Sequence, residues 1–221
     1  MTNTSLPGRF KRVRFVAIAL AASMLCGCSM LFNANPPPPE LFSFDSPQQV
    51  VQSPPQVKNG APTLIVSIPR AAAGFDGRQI IYVRQAHKLE YFRQSQWVDP
   101  PASILSPLIV AALERSGQFT AVVQSPTSAF GQLRLDVEIV RLQHEFLTIP
   151  SRAHFTLRAH LIDTATRQVV AWREFDAIVP ASSEDPYGGV LAANSAVRMV
   201  IDELAAFCAQ ESGNLQKIQL K

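Results

Sequence analysis

Apolar and polar residues alternate strictly along two stretches of the second half of the chain. Over 133–139, Leu133, Leu135, Val137 and Ile139 share one side of an extended backbone, and Arg134, Asp136 and Glu138 the other. Over 152–162, Ala153, Phe155, Leu157, Ala159 and Leu161 oppose Arg152, His154, Thr156, Arg158 and His160. A period of two with one dry and one wet face is how antiparallel strands covered on a single side read. Residues 169–179 extend the meander after a turn over 163–167. Upstream, 63–68 (TLIVSI) is a nearly continuous apolar run stopped by Pro69, as in a buried strand. Shorter strand candidates are 78–83, 88–92 and 119–124, with Gly74 and Gly77 turning the chain ahead of the first. Two stretches change to helical spacing. Ile104, Leu105, Leu108, Ile109, Ala112 and Leu113 follow Asp99-Pro100, which reads as N-cap and first turn, and Gly117 supplies a stop. Pro107 implies either a kink or a fresh start capped by Ser106. Val190, Ala193, Val197, Val200, Ile201, Leu204 and Cys208 stripe a second helix over 186–209, with Asp185 as its cap. The pattern predicts an α+β sandwich: one mixed, largely antiparallel sheet packed by two main helices.

The start of the chain follows other rules. Residues 1–14 are polar and basic, 15–25 form a short apolar run, and Leu25-Cys26-Gly27-Cys28 follows. A basic region, a short apolar core and a small residue before a cut describe a secretory signal. Cysteine directly after that small residue resembles the bacterial lipobox, whose thiol is acylated. Cys28 fits, with Gly27 before it and Leu25 two positions further back; Cys26, preceded by Leu25, fits poorly. The competing reading is an uncleaved anchor over 15–32, near the lower length limit for a spanning helix. By the sorting rule of enteric lipoproteins, Ser29 after the cysteine implies the outer membrane, the inner membrane being the alternative. Residues 36–62 then hold eight of the 17 prolines, four of them consecutive, as in an extended tether. Within it, 41–45 (LFSFD) alternates like an edge strand. The organisation expected is a signal peptide over 1–27, a lipidated tether over 28–62, a folded domain over 63–210 and a polar tail over 211–221.

Charge and cysteine usage narrow the partners. The formal charge of +3 misleads, because Arg9, Lys11, Arg12 and Arg14 precede Cys28 and no acidic residue does. The remainder carries 16 basic against 17 acidic residues and no basic tract, which argues against nucleic acid. After the leader only Cys28 and Cys208 remain, so no intramolecular disulfide supports the core, and Cys208 falls on an apolar stripe. No nucleophile elbow, zinc-binding helix, phosphate loop or spaced Cys/His set follows position 28. His154 and His160 share a strand face but lie about 20 Å apart, too far to share a metal. A hairpin turning near 148–151 would bring His144 opposite His154, still two ligands where a site needs more. Neither catalysis, metal nor cofactor is expected. The polar face carrying Arg152, His154, Arg158 and His160, with no predicted cover, is a candidate partner-docking surface or simply a solvated one.

The order of segments is similar to that of the ABC-type transport auxiliary lipoproteins, the paraquat-inducible protein C group among them. The likeness runs from LFSFDSP (41–47) through 63–101, with Ile81-Tyr82, Leu89-Glu90-Tyr91-Phe92, Trp97 and a Pro-flanked helix start. It continues through LERSGQFTAVV (113–123), with its Ser116-Gly117-x-Phe119 helix exit, to an Ala-rich closing helix. The Pro-rich segment 47–62 is a departure from that pattern. The resemblance implies a fold like the N-terminal domain of the Tol beta-propeller protein. It also implies a non-enzymatic lipoprotein serving an MCE-domain protein with an ABC permease and ATPase, in lipid transport between inner and outer membranes. A homo-oligomeric ring at the outer membrane is implied too, and Cys28 is the functional residue that transfers. The alternative function is a lipoprotein activator or scaffold of cell-wall synthesis.

Overall fold

The computed structural model describes residues 37–45 and 60–219, with side chains as far as Leu215. Cys28 and the leader lie outside the described residues. In chain order the elements are β1 (Glu40–Phe42), β2 (Thr63–Val66), β3 (Arg70–Ala71), β4 (Gln79–Gln85), β5 (Lys88–Trp97), α1 (Pro101–Arg115), β6 (Ala121–Gln124), β7 (Leu133–Glu145), β8 (Arg152–Asp163), β9 (Val169–Pro180) and α2 (Pro186–Gln219).

β7 is the spine of one mixed sheet. One of its edges pairs antiparallel with β8 along its whole length, and β9 pairs with β8 beyond. Its other edge takes three short strands in succession, all parallel. β2 sits opposite Leu133 to Leu135, β3 opposite Glu138 and Ile139, and β4 opposite His144 and Glu145. β6 extends the sheet past β2; β5 and then β1 extend it past β4. The long strands are thus antiparallel and the short ones mostly parallel, in agreement with the α+β reading.

Both helices lie on one face. Phe155, Leu157, Leu161, Leu135, Ile139 and Phe175 from the sheet meet Leu105, Ile109 and Leu113 of α1 and Val197, Val200 and Leu204 of α2, all essentially inaccessible. Cys208 is fully enclosed in this core, and burial pushes its thiol up to about 12. α1 starts at Pro101, one residue later than Asp99-Pro100 suggests, with proline at the first helical position, where its missing N–H costs nothing. It runs through Pro107 without restarting, and Ser106 is no cap: its buried hydroxyl accepts from Gln124 Nε2 of β6. Gly117 ends the helix with φ +63°. Asp185 caps α2 as expected, its carboxylate accepting from Gly188 N at 2.7 Å. α2 continues well past residue 209, with Ser212 buried and Leu215 packed on the core.

The segment before the Pro-rich stretch does join the sheet, as β1 at the edge of β5. Phe44 is buried against Trp97 at 4.6 Å between ring centres. Asn194 of α2 clasps the backbone beyond it: its Oδ1 accepts from Asp45 N at 2.7 Å, while its Nδ2 donates to Val190 O at 3.2 Å and Ser43 O at 3.5 Å. Losing a buried amide that serves three backbone groups costs about 1–2 kcal/mol. Asn194→Ala is therefore expected to lower stability by that amount and to accelerate amide exchange at residues 42–45. Unchanged exchange there would show that Asn194 does not hold this segment to the domain.

Candidate functional site: the open sheet face

The face of β7, β8 and β9 turned away from the helices carries all four residues singled out from the sequence. Arg152, His154, Arg158 and His160 point to it, as strand alternation requires. Opposite them across β7 stand Glu145, Gln143, Glu138 and Asp136, and across β9 Pro180, Ile178, Glu174 and Trp172. Charges meet their complements across the strands. Arg158 lies 2.8 Å from Glu174 and 3.5 Å from Glu138, and Arg152 Nε donates to Glu145 at 2.9 Å, while along β7 itself Arg134 lies 3.1 Å from Asp136.

The centre of this network is Glu145 with His154. The two ring nitrogens of His154 lie 2.8 Å from Glu145 Oε1 and 2.8 Å from Asp176 Oδ1. Carboxylates only accept, so the ring supplies the N–H in a contact with either one, and the Arg141 guanidinium, 3.0 Å from Nδ1, adds a third charged neighbour. Gln143 donates to Glu145 and Thr156 to Asp176. Burial raises the pKa of Glu145, but the hydrogen bonds from Gln143, His154 and Arg152 outweigh it and hold the carboxyl below its ordinary value. At Asp176 burial is likewise outweighed, by Thr156 and His154.

A uniformly solvated face is therefore not what forms. His154 and Thr156 are only 8% and 4% exposed, enclosed by the long side chains of the flanking strands. The outward-facing part is Arg158 and His160 with Trp172. His160 stacks on the indole at 6.3 Å and 22°, and Trp172 is 64% exposed. The four residues share a face, but His154 is an internal strut of it, while Arg152 and Arg158, exposed to a similar degree, are both paired to carboxylates.

His144 does not sit opposite His154. The β7–β8 register shifts between Ile139 and Arg141, making Val140 the extra residue of a bulge. Beyond the bulge the phase inverts, so Leu142 and His144 face α2, and His144 pairs with Ala153. Its Nε2 lies 2.8 Å from Ser151 Oγ, and Ser151 N donates to Glu184 at 2.8 Å. A serine–histidine contact invites a catalytic reading, but Ser151 is 0% exposed and His144 3%. His144 Nδ1, where a triad places its orienting carboxylate, has no hydrogen-bond partner. Burial lowers the His144 pKa, against the raising influence of Glu184 and Asp185. The pair is a packed core contact that no substrate reaches. Among the described residues, no group of three or more His, Cys, Asp or Glu is placed to hold a metal ion. Nor is any helix among them long and apolar enough to cross a membrane.

None of the curated proteins matches this chain. Among solved structures it is similar to protein XCC0632 from Xanthomonas campestris, of the DUF330 family, with 23% identity and a TM-score of 0.70. That match covers 80% of this chain and 98% of the other. A second, uncharacterized protein is similar at 13% identity and TM-score 0.56, over 81% and 97% of the two chains. Both likenesses concern the fold. The family model of the ABC-type transport auxiliary lipoprotein component matches residues 42–205, from β1 through most of α2. The chain belongs to that family of lipoprotein components of ABC-type transport.

Proposed function

We propose that the protein is a non-enzymatic adaptor of an MCE–ABC lipid transport system, held by acyl chains on Cys28 at the periplasmic face of the outer membrane. In this reading residues 1–27 are removed, the stretch from Cys28 to β1 is the tether, and the folded domain that β1 joins carries the docking surface. The observation that supports it is the open sheet face, polar, interlocked across three strands and left uncovered by both helices. Cross-strand ion pairs hold its side chains in one arrangement before a partner arrives, which lowers the entropy cost of association. Arg158 and the His160–Trp172 stack are the groups it offers outward, a cation and an aromatic of the kinds enriched where partners bind most tightly.

Reversing the outward charge tests this. Arg158→Glu, placed between Glu138 and Glu174, is expected to reduce capture of the MCE-domain partner from detergent extracts at least tenfold. The charge-swapped double variant Arg158→Glu/Glu174→Arg, which restores the internal pair, separates a folding defect from a lost contact. Capture unchanged by Arg158→Glu overturns the docking face. Labelling with radioactive palmitate, lost in Cys28→Ala, tests the anchor on its own.

A further inference from the structure

We propose that the tip of the β7–β8 hairpin inserts into the lipid surface that holds the anchor; the inference rests on the acylation of Cys28 proposed above. The loop joining these strands, residues 146–150, reads Phe-Leu-Thr-Ile-Pro, where surface turns ordinarily use Gly, Asn and Asp. Ile149 at its apex is 93% exposed and Leu147 47%. The projection is stiff at its base. Phe146 N donates to Val83 O at 2.8 Å, and the Phe146 ring packs against His144 at 4.1 Å and Tyr82 at 6.0 Å. Because β4 runs parallel to β7, the β4–β5 turn emerges at the same end of the sheet and adds exposed Leu89. Arg84 and Lys88 flank it with well-exposed side chains, both near Glu90, in position to meet headgroup phosphates. Glu184 at this end is engaged by Ser151 N and Asp185 by Gly188 N.

Shape and reach favour a bilayer over a protein. A stable protein interface buries about 800 Å² per partner. A convex tip of two or three apolar side chains offers much less, yet is the form in which apolar groups enter a lipid surface. The anchor makes insertion intramolecular, so an effective concentration of millimolar order turns a weak preference into occupancy. From Ser95, beside Glu40 in the sheet, to Lys88 at the tip is seven residues, about 23 Å. The twelve residues from Cys28 to Glu40 extend to at most roughly 40 Å. The bilayer that holds Cys28 is therefore within reach of Ile149.

The test uses the full acylated chain on vesicles of phosphatidylethanolamine and phosphatidylglycerol with brominated acyl chains, which quench indoles that enter them. Ile149→Trp is compared with Phe130→Trp, a position 76% exposed at the opposite end of β7. The indole introduced at position 149 is expected to lose about half of its emission, and that at 130 none beyond wild type. Equal quenching at both positions overturns the proposal. So does an Ile149→Trp indole that stays unquenched on vesicles and is shielded from aqueous iodide only by the MCE-domain partner. Intact mass of the purified protein reads acylation separately. Should Cys28 carry no lipid, coupling it to a maleimide lipid in a Cys26→Ser background lets the same quenching decide the tip, buried Cys208 being out of reach.

Discussion

Glu145→Gln is expected to lower the unfolding free energy at pH 7 by about 3 kcal/mol, read as a shift in urea midpoint at unchanged slope. The side chain is 6% exposed and receives Arg152 at 2.9 Å and His154 at 2.8 Å, with Gln143 donating to the same group. An amide in its place turns a donor toward one of these donors and removes the counter-charge that faces Arg152. The pH profile carries a second signature. The native Glu145 carboxyl sits below its ordinary value of 4.5, so its contribution is complete above pH 4.5 and drains as pH falls through the native value. Asp176, held below 3.8, has the same sign. His144 acts earlier. Its native pKa lies below 6.5, so beneath that pH the unfolded chain takes up the proton first and stability declines. Wild type should therefore lose stability in two stages on acidification. In Glu145→Gln the stage beginning near pH 6.5 remains, while the loss below pH 4.5 flattens. An equally steep loss below pH 4.5 in both proteins would show that Glu145 is not the keystone of the open face.

What the sequence revealed and what it hid divide along one physical line. Strict alternation over 133–139 and 152–162, and the stripe of α2, are consequences of a single buried face, and every apolar residue they placed inside is inside. The features missed are those where local period and tertiary packing disagree. The bulge at Val140 ends the alternation six residues before β7 itself ends, and with it went the true direction of His144 and the role of Glu145. His154 reads as a wet-face residue, and nothing local says that Glu145 and Asp176, far along the chain, close around it. The end of α2 is polar enough to pass for a tail, yet tertiary contacts at Ser212 and Leu215 hold it helical. At the open face, the alternation identified the strand side, while the division between internal strut and outward group depends on cross-strand neighbours. The pair of consecutive glycines at the start of α2 is a legible signal of a tight contact, since two residues of poor helix propensity in a first turn ask for a packing reason.

Gly189→Ala tests that reason, and its sign is opposite to what propensity alone gives. In an exposed helix the change would stabilise by about 1 kcal/mol. Here a Cβ on Gly189 falls inside contact distance of His144 Nδ1 and 2.8 Å from both Cε1 and Cγ of the same ring. The ring is held on other sides too: the Phe146 ring lies tilted against it at 4.1 Å between centres, and Nε2 is tied to Ser151 at 2.8 Å. Relief requires either displacing the start of α2 or breaking the Ser151 contact, which strips the buried His144 Nε2 of its hydrogen bond. Gly189→Ala is expected to destabilise by about 2–3 kcal/mol, the cost of overpacking an enclosed site. The double variant with His144→Ala removes the ring that clashes, so the two changes should couple, the pair costing less than the sum of the singles by roughly 1–3 kcal/mol. Additive losses, or a Gly189→Ala protein more stable than wild type, would mean that α2 does not begin against the His144 ring and that the helix is seated on the sheet in some other way.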